Sequence, residues 1–122
     1  MHNAVMIAFT GPTSAETEDA YNAWYDGKHL HDVADIPGVI RASRYKLAHD
    51  VETLPGVTGP SQPYMAIYEL TATTKDELDT FCDGLRAALA EGRADIDATL
   101  EMADLGATIA LPIGESLRGV SA

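Results

Sequence analysis

Residues 4–10 read AVMIAFT: Val5, Ile7 and Phe9 alternate with Ala4, Met6 and Ala8 before Gly11-Pro12 interrupts the run. A period of two closed by such a breaker predicts a β-strand. Thr13-Ser14-Ala15-Glu16 has capping-box spacing, and Tyr21, Trp24, Tyr25, Lys28 and Asp32 recur at helical intervals, so a helix is expected to about His29 or slightly beyond. Pro37-Gly38 ends the segment beyond this helix. Over 39–47, Val39, Arg41, Ser43, Tyr45 and Leu47 alternate with Ile40, Ala42, Arg44 and Lys46, which predicts a second strand. Segment 48–63 is rich in Gly, Pro, Thr and Ser and has no period. It is longer than most connections in compact domains and is read as a loop able to act as a lid. YMAIYEL at 64–70 is a third strand. Thr74-Lys75-Asp76-Glu77 is a second capping box, opening a helix with the apolar stripe Leu78, Phe81, Cys82, Leu85 and Leu89. A helical turn or two at 96–102 and a last strand at 105–113 complete the pattern.

The order strand, helix, strand, strand, helix, strand predicts a single α+β domain over 1–122, a ferredoxin-like βαββαβ arrangement. Its four-stranded antiparallel sheet would carry both helices on one face, since each amphipathic helix must bury its stripe against the same side. The strands carry apolar side chains on both alternations, so the other face would expose more apolar surface than a monomer tolerates. A second copy packed sheet to sheet, as in a dimeric α+β barrel, is the simplest cover.

Charge then narrows the partners. Nineteen acidic residues against eight basic ones give a formal charge of −11, and no Lys/Arg cluster is present, so a nucleic-acid partner is not expected. The apolar runs fall well short of the ~20 residues that span a bilayer. A chain with one cysteine forms no internal disulfide, and the opening MHNAVMIAF lacks the basic start and cleavage site of a secretory signal, so a cytoplasmic protein is expected.

The run EDAYNAWYDGKHLHDVADIPGVIRASRY at 18–45 resembles a pattern in the dimeric α+β barrel superfamily. Its features are an acidic helix start, Asn-x-Trp-Tyr, a histidine four residues after the tyrosine, a Pro-Gly turn and Ala-x-Arg-Tyr on the next strand. The likeness is to a bacterial branch with EthD-like and stress-responsive relatives, and it implies a fold and a homodimer more firmly than a reaction. The superfamily spans muconolactone isomerases, polyketide cyclases, quinol and heme-degrading monooxygenases, aldoxime dehydratases, chlorite dismutases and non-catalytic proteins, and fold does not select among them. In related barrels the histidine ending the first helix faces the cavity, which by resemblance puts His29 in an acid/base role.

Within WYDGKHLHD at 24–32, a continuing helix lets Tyr25, His29 and Asp32 approach one point. The imidazole can exchange a proton near neutral pH, the phenol can donate to a carbonyl, and the carboxylate can set the tautomer. Set against this, Tyr21, Trp24 and Tyr25 at helical spacing are more simply core aromatics, Asp32 a solvated or capping group, and a histidine near a helix end gains from the helix dipole alone. His29 and His31, two apart, face different sides of a helix, and no metal-ligand pattern is present, so neither a metal nor another cofactor is expected. His49 in the long loop is either exposed or able to close over a ligand, and His2 is a terminal residue. Arg44 is read narrowly as the ion-pair partner of Glu69, with capture of a substrate carboxylate or enolate as the alternative. Tyr64 and Tyr68 share one strand face, so at least one is expected to line the cavity while the other packs under a helix or at the dimer contact. Cys82 reads as a small buried hydrophobe.

The leading expectation is a cofactor-independent lyase, isomerase or cyclase acting on a small apolar carbonyl, lactone or aromatic metabolite. His29, Tyr25 and Arg44 would be catalytic, and Trp24, Tyr64, Tyr68, Asp32 and His49 would contact substrate. The alternatives are a heme- or quinol-type monooxygenase and a non-catalytic dimeric ligand-binding or stress-responsive module. Asn22, Trp24 and His29 resemble, in different order and spacing, the Asn, Trp and His of heme-degrading relatives.

Overall fold

The computed structural model describes residues 2–121. Strands β1 (Ala4–Thr10), β2 (Val39–Lys46), β3 (Tyr64–Leu70) and β4 (Gly106–Ala110) form one antiparallel sheet in the order β2-β3-β1-β4. Ile7 lies opposite Ile67, Tyr68 opposite Ala42, and Met6 opposite Ile109. Because side chains alternate, this register sorts the residues into two faces. Ala4, Met6, Ala66, Tyr68 and Leu70 are buried in one core with Tyr21, Tyr25 and Val33 from the first helical segment and Phe81 and Ala88 from the second. Both helical segments therefore cover the same face, and the chain has the expected ferredoxin-like α+β fold. Val5, Ile7, Phe9, Met65 and Ile67 lie on the opposite face, beside Tyr45, which is 51% exposed.

The first helical segment differs from the expectation at its start and extends it at its end. Ser14, not Thr13, is the N-cap: Thr17 Oγ1 accepts from the Ser14 amide at 3.1 Å, and Ala15–Thr17 form a 3-10 turn. Helix α1 (Glu18–Trp24) runs without a break into a π-helical turn, Tyr25–His29, and then α2 (Leu30–Ala34). Helical structure thus continues five residues past His29, because Leu30 and Val33 still find core partners. Gly38 closes the segment at φ 101°, a left-handed conformation that favours glycine.

Helix α3 (Lys75–Ala90) starts as the sequence indicates. Thr74 Oγ1 accepts from the Glu77 amide at 3.2 Å, and Glu77 Oε1 accepts from the Thr74 amide at 3.2 Å. Its buried stripe ends on Ala88, and Leu89 is exposed. Three further expectations are corrected. In β2 a bulge falls between Val39 and Arg41, so Val39 turns to the helix-covered face and Arg41 to the other. Residues 96–102 form no helix; they are held by a bridge from Leu100 to Pro12 and by the Glu101 amide bonding to the Gly11 carbonyl at 2.9 Å. β4 is also shorter than 105–113. Among the described residues, no helix is long and apolar enough to cross a membrane.

Candidate functional site

The space between α1, the π-helical turn and the sheet is filled by four buried tyrosines, Tyr21, Tyr25, Tyr64 and Tyr68. Tyr21 lies 5.8 Å from Tyr25, ring to ring, and 5.5 Å from Tyr64. The Tyr25 and Tyr68 hydroxyls stand 3.4 Å apart, and the Tyr21 hydroxyl pairs with Thr10 Oγ1 at 2.5 Å. Small residues beneath make room for these rings: in the registered strands Ala42 is beside Tyr68, and Ala66 sits between the two β3 tyrosines. Burial pushes all four phenols above their ordinary range, so they are neutral hydrogen-bonding groups at physiological pH.

Arg44 enters this cluster from β2. Its side chain is only 10% exposed, and its guanidinium carbon lies 4.2 Å from the Tyr25 ring centre, 5.0 Å from Tyr64 and 5.3 Å from Tyr21. Nη1 donates to Asp26 Oδ1 at 2.7 Å and Nη2 to Asn22 Oδ1 at 3.0 Å. Nε is buried without a partner. The expected pair with Glu69 does not form. Glu69 lies on the other sheet face and accepts instead from Arg41 at 3.1 Å, since adjacent strand positions point to opposite sides. Asp26 is 65% exposed, so a nearly buried cation is held at its outer edge by a carboxylate in water.

His29 is 9% exposed. Its ring stacks on Trp24 at 4.6 Å and stands nearly perpendicular to Tyr25 at 4.9 Å. Nδ1 is 3.1 Å from the Asp95 carbonyl oxygen. A carbonyl can only accept, so the proton is on Nδ1 and the lone pair on Nε2. Burial holds the imidazole below its usual range, opposed by the Asp95 hydrogen bond and the charges of Asp32 and Asp95. Asp32 does not set the tautomer; it accepts from Lys28 at 2.5 Å, and Lys28 also reaches Asp95 at 3.0 Å. The Trp24 indole donates to Asp95 Oδ1 at 3.4 Å.

The structure thus brings Tyr25, Arg44, Tyr64 and Tyr68 into one cluster and sets His29 and Trp24 against its Tyr25 edge. Asp32 and His49 stand apart. His49 is exposed and lines a cleft of about 670 Å³ formed within the 48–63 loop. A second cleft of about 290 Å³, between Pro37, Thr71 and Phe81, also lies away from the cluster. His31 and His2 are exposed. Sequence reasoning missed Glu18 and Asp26 as cluster residues and did not connect Asn22 to Arg44. The signal was present, because Glu18, Asn22 and Asp26 recur every four residues on one helical face. Asp95 had no such signal, since its segment has no period.

No family model matches the chain, and no curated protein matches it. Solved structures do. A dimeric ferredoxin-like protein from an uncultured marine organism is 12% identical, over 98% of this chain and 95% of that one, with a TM-score of 0.56. The monooxygenase ActVA-Orf6 of Streptomyces coelicolor, in complex with Nanaomycin D, is 14% identical over 97% and 94%, with a TM-score of 0.52. A MhuD mutant with two manganese protoporphyrin IX molecules bound per active site is 14% identical over 95% and 99%, with a TM-score of 0.50. At these identities the likeness is one of fold. The chain is a ferredoxin-like α+β protein whose structural neighbours include dimeric and monooxygenase members.

Proposed function

We propose that this protein is a homodimeric, cofactor-independent monooxygenase that oxidises a small phenolic or quinol-type aromatic molecule with dioxygen. The observation that carries this reading is Arg44. A nearly buried guanidinium, ringed by phenols and tied outward to a solvent-exposed carboxylate, is suited to exchange Asp26 for the oxyanion of an aromatic substrate. The neighbouring monooxygenase fold supports the choice of reaction class.

In this reaction His29 Nε2, neutral at physiological pH, removes the substrate proton. Arg44 offsets the resulting negative charge, and the Tyr25 and Tyr68 hydroxyls orient the oxygen. The electron-rich anion then reduces dioxygen. One oxygen atom becomes a new ring carbonyl, and the other leaves as water with the two hydrogens lost by the substrate. Trp24 and Tyr64 give apolar contact to the ring. Proton removal by His29 would also be the first step of a lyase, isomerase or cyclase; oxygen uptake separates the two readings.

The residues present do not fit a heme. The Trp24 and Tyr25 rings against His29 and the tyrosines between helix and sheet must move aside for any substrate, and a single aromatic ring needs a far smaller displacement than a macrocycle. A heme titration is therefore expected to leave the Soret band unshifted.

The open sheet face, with Ile7, Phe9, Met65 and Ile67 across its centre, is the proposed dimer contact. The direct test of activity is oxygen consumption and ¹⁸O incorporation with a panel of hydroquinones, naphthols and anthrones. Wild type should label the product from ¹⁸O₂, and Arg44→Met and His29→Phe should each lose at least about a hundredfold in kcat/KM, the scale of a lost general base or oxyanion donor. Turnover unchanged in both variants, or no oxygen uptake with any member of the panel, would overturn it.

A further inference from the structure

The chain has a single tryptophan and five tyrosines, and the tryptophan and three of the tyrosines form one continuous run of ring contacts. From Trp24 to Tyr25 the ring centres are 5.5 Å apart, from Tyr25 to Tyr21 5.8 Å, and from Tyr21 to Tyr64 5.5 Å. Trp24 meets the surface, where its indole reaches Asp95. At the other end, the buried Tyr64 hydroxyl donates to Glu18 Oε2 at 2.6 Å and accepts from Asn22 Nδ2 at 3.0 Å. The proposed oxygenation gives Glu18 and Tyr21 no task.

We infer that Trp24, Tyr25, Tyr21 and Tyr64 form a one-electron relay between the surface and the core, with Glu18 as the proton acceptor at its buried end. Indole and phenol rings are readily oxidised by one electron, and rings in near contact exchange electrons far faster than groups separated by intervening protein. The resting place of the electron hole is decided by protons. A phenol radical cation beside the Arg44 charge is disfavoured, so oxidation must release the phenolic proton. Tyr21 pairs with the Thr10 hydroxyl, and Tyr25 and Tyr68 face one another; hydroxyls are poor bases at neutral pH. Tyr64 alone of the four buried phenols faces a carboxylate, across a short, charge-assisted bond.

An outer-sphere one-electron oxidant takes an electron from Trp24, and the hole passes through the Tyr25 and Tyr21 rings without resting there, since neither can shed its proton, until an electron from Tyr64 fills it. Tyr64 loses its proton to the Glu18 carboxylate, leaving a neutral phenoxyl, a carboxylic acid and a reduced oxidant. Asn22 continues to donate to the phenoxyl oxygen. The relay needs no aromatic substrate, so it stands or falls separately from the proposed oxygenation.

The test mixes the full-length protein with one equivalent of hexachloroiridate(IV) and freezes it for electron paramagnetic resonance. Wild type should give a tyrosyl signal that Tyr64→Phe removes or replaces. Trp24→Phe should slow its appearance at least about tenfold, equivalent to about 1.4 kcal/mol in barrier. Glu18→Gln leaves the phenol without an acceptor and should lower the radical yield by a similar factor; it also tests the relay if Tyr64→Phe fails to fold. Tyr45→Phe, a change at the exposed tyrosine on the other sheet face, should leave the signal unchanged. No tyrosyl signal in wild type, a signal insensitive to both Tyr64→Phe and Glu18→Gln, or one lost with Tyr45→Phe would overturn the inference.

Discussion

The Arg44 charge contributes almost nothing net to the stability of the fold, and this can be measured. Its attractive contacts are a pair with the 65% exposed Asp26, contributing about 1 kcal/mol at most because the carboxylate is in water, and cation–π contact with three rings worth about 1–2 kcal/mol. One further hydrogen bond joins half-buried Asn22. Against these stand several kcal/mol for desolvating a guanidinium and about 1–3 kcal/mol for the orphan Nε. These terms nearly cancel. Arg44→Met keeps an unbranched apolar stem beneath the rings and removes the charge, so its stability should lie within about 1 kcal/mol of wild type. Arg44→Ala also opens a void below Tyr25 and should lose about 3 kcal/mol. In urea titrations at one protein concentration, that loss moves the midpoint by roughly 1.5 M at a slope of about 2 kcal/mol/M. If Arg44→Met is as unstable as Arg44→Ala, the guanidinium is a structural necessity, and the argument that it is retained for chemistry fails.

Two further outcomes are expected. Because His29 is held below its ordinary value by burial, the unfolded chain takes up a proton as pH falls below about 6.5 while the folded one stays neutral. Stability should therefore decline by up to about 1.4 kcal/mol per pH unit from this group until the folded imidazole itself titrates; His29→Phe should flatten that slope between pH 7 and 5, and an unchanged slope would show that His29 is not responsible. Light scattering at micromolar concentration should give twice the 13.0 kDa chain mass, and Ile67→Asp should halve it with an unchanged far-ultraviolet circular dichroism spectrum. A wild-type mass of one chain would remove the proposed sheet-to-sheet contact.

The parts of the fold legible in the sequence are those set by short-range periodicity. β1 and β3 alternate cleanly, and Thr74 with Glu77 announces α3, because strand pleat and helix capping are local geometries. The bulge in β2 was hidden, since Ile40 fits either alternation until Val39 is drawn beneath the helices opposite Leu70. The π-helical turn was likewise hidden, because WYDGKHLHD satisfies ordinary helical spacing and only packing on the sheet selects the wider turn.

The same division holds for the candidate site. From residue spacing alone, Tyr25 and His29 meet, and Tyr64 and Tyr68 share a face; a one-turn separation and an even-numbered strand step leave little choice. Only the tertiary structure decided that Arg44 turns to Asn22 and Asp26 in place of Glu69, and that Asp95, 66 positions from His29, supplies the acceptor that sets its tautomer. Such partners lie far apart along the chain, and their meeting depends on strand register and on the path of an aperiodic loop, quantities that local sequence does not encode.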